Sequence, residues 1–132
     1  MVTLRTYLVE DSPLLRESLS ATLEELVPLQ MVAAADDEPS ALHWLAHHGR
    51  EVDLVILDIF LKQGSGLGVL RATQSPPPPY KLVVLSNYAT PEVRRSCLAL
   101  GAAQVFDKSN DIEALVHYCQ QLGQQLNGSS HA

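Results

Sequence analysis

Val52-Asp53-Leu54-Val55-Ile56-Leu57-Asp58 places four consecutive apolar residues directly before a carboxylate. A run this short and continuous predicts a strand covered on both faces, because a strand with one wet face would alternate apolar and polar residues. Leu82-Val83-Val84-Leu85 has the same character and ends on Ser86. Outward from these two, Leu4 to Val9, Met31 to Ala35 and, more weakly, Ala103 to Phe106 read as further strands, with the central one spanning Val52 to Leu57. The two continuous runs, covered on both faces, predict a parallel sheet between helix layers.

The intervening segments carry helical periodicity. Leu15, Leu19, Leu23 and Leu26 recur at helical spacing, as do Val93, Cys97 and Leu100, and again Ile112, Leu115, Val116, Cys119 and Leu122. Helix starts are marked by Ser12 before Pro13, by Thr90 before Pro91, and by Asn110 three residues ahead of Glu113 as a capping box. Gly49 and Gly101 mark stops. A second helix is predicted from Pro39 to His48 and a short third from Gly66 to Thr73, after which Pro76-Pro77-Pro78-Pro79 forces an extended connection. Five strands alternating with five helices predict one doubly wound α/β domain over residues 1–126, followed by a polar tail at 127–132. Loosening is expected from Gly123 onward.

Composition narrows the function classes. A chain of 132 residues with 46% hydrophobic content buries a sizeable core as a single domain. No apolar run approaches the roughly 20 residues needed to span a bilayer, and the amino terminus lacks the order of a secretory signal, so a cytoplasmic protein with no membrane contact is expected. Cys97 and Cys119 occupy apolar helix positions and are expected to be reduced and buried. A net charge of −6 without a basic stripe argues against direct nucleic-acid binding and favours a protein partner.

In a doubly wound sheet the chemistry gathers at the carboxyl ends of the strands. Glu10 and Asp11 follow the first strand, Asp58 the third, Ser86 the fourth and Lys108 the fifth. Carboxylates about 4 Å apart repel by about 4 kcal/mol per pair at an effective dielectric of about 20, so something positive must sit among them. A hard cation with oxygen ligands, magnesium before others, meets that need, with Lys108 as a fixed charge on the opposite side.

This constellation resembles the receiver domains of two-component response regulators, on the stretches Leu8-Val9-Glu10-Asp11-Ser12, Val55-Ile56-Leu57-Asp58, Val83-Val84-Leu85-Ser86 and Phe106-Asp107-Lys108-Ser109. The resemblance covers about Leu4 to Leu126 and implies a flavodoxin-like fold with strand order 2-1-3-4-5. It implies that Asp58 is the phosphoacceptor, with Lys108 and Ser86 contacting the phosphoryl group. It further implies that Mg2+ or Mn2+ is held by Asp11, Asp58 and the backbone carbonyl of Phe60, with Glu10 acting through a water. The implied donor is a sensor histidine kinase or a phosphotransfer protein, with a downstream protein receiving the signal and a homodimer among the candidate assemblies. On this likeness the chain is a switch and not an enzyme.

Two alternatives are weighed beside it: the receiver half of a longer DNA-binding regulator, and an aspartyl-phosphate phosphatase of the haloacid-dehalogenase type. The latter normally places a second acid two residues after its nucleophile, where this chain has Phe60. Other motifs have plainer readings. Gly64-Ser65-Gly66-Leu67-Gly68 lacks the Gly-Lys-Ser/Thr ending of a phosphate loop and reads as turn residues. His43 and His47 stand four apart with no third ligand nearby in sequence and read as solvent-facing. The proline run reads as a stiff connector.

The chain also departs from the family pattern. Receivers usually carry an aromatic residue three before the lysine, where Val105 stands; Phe106 is offset by one and should face the other side of the sheet. Ser109 replaces the usual proline, and this Phe-Asp-Lys-Ser ending is similar to that of an atypical stand-alone group. The output surface implied by the likeness, the fourth helix with the fifth strand and helix, would present Tyr88, Arg94, Arg95, Gln104, Val105 and Tyr118.

Overall fold

The computed structural model describes residues 3–74 and 77–129. Along the chain run β1 (Leu4–Val9), α1 (Pro13–Leu26), β2 (Leu29–Ala35), α2 (Glu38–His48), β3 (Leu54–Leu57), α3 (Gly66–Ala72), β4 (Lys81–Ser86), α4 (Pro91–Ala99), β5 (Gln104–Asp107) and α5 (Ile112–Ser129), with a 3-10 turn at Gly49–Glu51. The strands pair in the order β2-β1-β3-β4-β5, every pairing parallel. This is the expected flavodoxin-like arrangement.

Strand alternation sorts the core into two halves. Val55 and Leu57 of β3 with Leu82 and Val84 of β4 pack with Ala41 and Leu45 of α2, Val69 and Leu70 of α3, and Cys97 of α4. Leu54, Ile56, Val83 and Leu85 face the other way, onto Leu23 of α1 and Leu115, Cys119 and Leu122 of α5. Both faces of the central strands are therefore dry, which is why their sequence does not alternate. Tyr7 stacks on Trp44 of α2 with centroids 4.1 Å apart, closing the sheet against that helix. Val105 belongs to the first half and Phe106 to the second, where it meets Tyr118 edge-on, as the one-residue offset requires.

Several boundaries differ from expectation. β2 begins two residues early, at Leu29, and β3 two residues late, at Leu54. Asp53 still bonds through its backbone to Arg5 at 2.8 Å and to Lys81 at 3.0 Å on either side, and its carboxylate takes the backbone and guanidinium N–H groups of Arg5. The expected caps at Ser12 and Thr90 are present, their hydroxyls accepting from Leu15 and Val93 N–H. Asn110 is not the cap of α5. That helix starts at Ile112, and Asn110 lies in a turn whose N–H is taken by the Asp107 carboxylate. Gly101 does end α4, at φ +109°, but Gly123 lies inside α5, which passes the boundary expected at residue 126 and runs to Ser129. Residues 130–132 of the expected tail, and Pro76 of the proline run, lie outside the described residues.

Candidate functional site

The carboxyl edge of the sheet is built by the ladder itself. Asp58 continues β3 by one residue, its N–H donating to the Val9 carbonyl at 3.0 Å, and Glu10 continues β1, donating to Ala35 at 2.9 Å. Lys108 continues β5, its backbone N–H donating to the Ser86 carbonyl at 3.0 Å. Hydrogen-bond register thus brings together groups far apart in sequence. Glu10, Asp11, Asp58, Phe60 and Lys108 line one pocket of about 190 Å³, shared with Ser12, Leu15, Asn87 and Tyr88.

Inside it, Asp58 and Glu10 are buried and Asp11 is exposed. One oxygen of Asp58 accepts from Ile59 N–H at 2.7 Å and Phe60 N–H at 3.4 Å; the other accepts from the Lys108 ammonium at 2.7 Å. The same ammonium donates to Glu10 Oε1, whose partner oxygen accepts from Ser12 N–H at 3.1 Å. Burial lowers the Lys108 pKa, but the bonds and charges of Asp58 and Glu10 outweigh it and hold the group above its ordinary value. Lys108 is therefore not across from the carboxylates, as expected, but between two of them, and it answers part of the repulsion that the sequence assigns to a metal. Three carboxylates and one ammonium still leave two formal negative charges in the pocket. The donors are all oxygen, which suits a hard cation. As the side chains stand, no three His, Cys, Asp or Glu groups among the described residues gather in metal-holding geometry.

Ser86 lies apart from the pocket wall. It is fully buried, and its hydroxyl accepts from Tyr88 N–H at 3.2 Å. Tyr88, expected on the output surface, is exposed and meets Phe60 edge-on with ring centroids 5.0 Å apart at the pocket's rim. Val105 is buried, so it is not a surface residue, whereas Arg94 is partly exposed and bound to three neighbouring groups. Sequence reasoning missed Asn87 and Leu15, which border the pocket, and Arg16, which donates to the Glu10 carbonyl at 2.8 Å. Arg16 stands one turn beyond the Ser12 cap, the only signal that placed it near the acids.

The glycine-rich stretch proves to wrap a carboxylate of the chain itself. Ser65 N–H donates to Glu38 at 2.9 Å, and a Cβ at Gly64 or Gly68 would run into that side chain. His43 and His47 are exposed neighbours with ring centroids 4.4 Å apart, and His47 Nδ1 is bonded to the His43 carbonyl.

The fold is a doubly wound α/β domain with acids, a buried hydroxyl and a lysine at the carboxyl edge of its sheet. The chain belongs to the response regulator receiver domain family, whose model matches residues 6–120. It is 28% identical over 106 residues to the transcriptional regulatory protein MalR of Bacillus subtilis (strain 168), a match covering 80% of this chain but 44% of that relative. The chain thus spans less than half the length of that relative. Among solved structures, the receiver domain of the regulator NarL from Mycobacterium tuberculosis is similar with TM-score 0.82 and 24% identity, covering 94% of this chain and 98% of that one. A chain of the CheX-CheY-BeF3-Mg2+ complex of Borrelia burgdorferi gives TM-score 0.78 and 19% identity, covering 86% and 84%. These findings identify a receiver domain of two-component response regulators and give no support to the haloacid-dehalogenase alternative. No helix among the described residues is long and apolar enough to cross a membrane.

Proposed function

We propose that this receiver accepts a phosphoryl group on Asp58 from a phosphohistidine of a sensor kinase or phosphotransfer protein and signals by protein contacts from the cytoplasm. The observation that carries this reading is the Asp58 carboxylate, buried, oriented by backbone N–H groups and held by Lys108 at the floor of an acidic pocket. Asp58 oxygen forms a bond to phosphorus as the phosphorus–nitrogen bond breaks in line, and the imidazole departs with the electron pair and takes a proton from solvent. Lys108 stabilises the equatorial oxygens, and the Ser86 hydroxyl turns from Tyr88 N–H to the phosphoryl group. The reaction modifies the protein itself, so no substrate is turned over.

Asp11 and Asp58 hold Mg2+ or Mn2+ directly in this proposal, with the Phe60 carbonyl as a further ligand and Glu10 acting through water. The bound cation supplies charge neutralisation for the transferring phosphoryl group. The Borrelia complex contains magnesium and beryllofluoride, which agrees with such a site. Labelling by acetyl phosphate should require added magnesium and stop with EDTA; labelling that ignores EDTA would sink the metal's role. In magnesium titrations Asp11→Asn and Asp58→Asn should lose more affinity than Glu10→Gln, and the reverse ranking would overturn the ligand roles.

The length of MalR favours a second reading, in which the same switch drives a longer DNA-binding regulator. Immunoblotting the native protein from its own cells distinguishes the two by size.

A further inference from the structure

Arg94 of α4 spends each of its guanidinium nitrogens on a different segment. Nε donates to the Ala89 carbonyl at 3.0 Å, Nη1 to the Val105 carbonyl at 2.8 Å, and Nη2 to Asp111 Oδ2 at 3.1 Å. The same Asp111 oxygen accepts the Asp107 N–H at 2.9 Å, and the Asp107 carboxylate takes the N–H groups of Ser109 at 2.7 Å and Asn110 at 3.2 Å. One side chain therefore ties the end of the β4–α4 loop, the backbone of β5 and the turn into α5. Ala89 lies three residues after Ser86, Val105 three before Lys108 and Asp111 three after it. Lys108 is thus bracketed by atoms that Arg94 holds, and Ser86 is followed by one three residues on.

We infer that Arg94 is a positioning residue, the joint through which movement of the Ser86 loop is passed to the Lys108 turn and the α4–β5–α5 face. The inference rests on the phosphoacceptor reading above and supplies what Val105 lacks, a side chain able to transmit the loop's displacement. Val105 is buried and β-branched, with no ring to fill space behind Ser86. When the Ser86 hydroxyl turns toward phosphate, the backbone through Ala89 must follow. Ala89 cannot shift without breaking its bond to Arg94 or drawing α4, Val105 and Asp111 with it. β5 is an edge strand, and its Val105 carbonyl is satisfied by Arg94, so loss of this contact frees the strand's outer side. Lysine cannot replace arginine here, because a single ammonium does not reproduce a planar fork aimed at three acceptors.

The test compares the wild type with Arg94→Gln, Arg94→Lys, Asp111→Asn and, as a control on the same helix, Arg95→Gln. Asp58 labelling by acetyl phosphate reports the site, and amide exchange over 86–96 and 104–112, with and without beryllofluoride and magnesium, reports the coupling. Arg94→Gln should still be labelled and still respond over 86–90, while its response over 104–112 falls about fivefold or more. Arg94→Lys should not restore it, Asp111→Asn should weaken it in the same direction, and Arg95→Gln should leave it intact. Asp111→Asn keeps side-chain size and serves where Arg94→Gln does not fold. A merely structural Arg94 would lower the melting temperature yet leave the two segments responding together as in the wild type, and that result overturns the inference. Absence of labelling in the wild type would instead overturn the phosphoacceptor reading itself.

Discussion

Lys108 carries more of this site than its place beyond β5 suggests, since one ammonium joins Glu10 and Asp58 from the ends of two other strands. Removing it leaves two buried carboxylates facing each other, so a truncating substitution destabilises the apoprotein as well as the chemistry. The cysteines lie at the other extreme of reactivity. Cys97 and Cys119 are buried, and burial pushes the Cys119 thiol up to about 12 and Cys97 above its ordinary value. Neither should react with iodoacetamide at pH 8 until the protein is unfolded; rapid labelling of the native protein would contradict this. Asp111 offers a pH test. The backbone N–H of Asp107 and the Arg94 guanidinium hold its carboxyl below the usual range. Its contribution to stability is complete above the unfolded value of about 4 and is lost as pH falls through the lowered folded value. Acid unfolding of Asp111→Asn should therefore lack part of the wild-type slope below about pH 4, and superimposable curves would refute the pairing.

At the level of elements, the five strands and five α-helices among the described residues are legible in the sequence, because dry faces and helical stripes leave direct traces in composition, whereas the 3-10 turn at Gly49–Glu51 is not. Ends were less legible because they depend on distant partners. Val52-Asp53 reads as strand, and Asp53 does bond through its backbone to Arg5 and Lys81, but β3 proper begins at Leu54; Asn110 reads as a cap, yet it is Asp111 whose carbonyl takes the Leu115 N–H and opens α5. Gly66 shows the same dependence. Its N–H donates to the Ile59 carbonyl at 2.8 Å, and a Cβ there would strike the Asp58 carbonyl oxygen. Gly66→Ala should cost about 1–3 kcal/mol in urea unfolding by pushing on the Asp58 backbone; an unchanged midpoint would show that the loop can yield. The β4–α4 loop admits its own comparison. Ser86→Ala should accept phosphate yet respond less in α4, while Val105→Ala should respond as the wild type, and amide exchange in beryllofluoride reads both.

For the whole molecule, one ordering principle links fold to site. Parallel pairing in the order β2-β1-β3-β4-β5 delivers the ends of β1, β3, β4 and β5 to one edge, with α1 and α5 on one face and α2, α3 and α4 on the other. The meeting of Glu10, Asp11, Asp58 and Lys108 was legible because it follows from strand ends alone. The seat of Lys108 between two acids, the inward hydroxyl of Ser86 and the reach of Arg94 were not, because they depend on side-chain torsions and contacts that no spacing encodes. The central claim is that Asp58 alone receives the phosphoryl group. The most direct measurement is intact and peptide mass of the protein after acetyl phosphate and magnesium, beside Asp58→Asn. One phosphoryl group on the peptide bearing Asp58, absent in Asp58→Asn, is the predicted result; undiminished phosphorylation of Asp58→Asn would contradict the account.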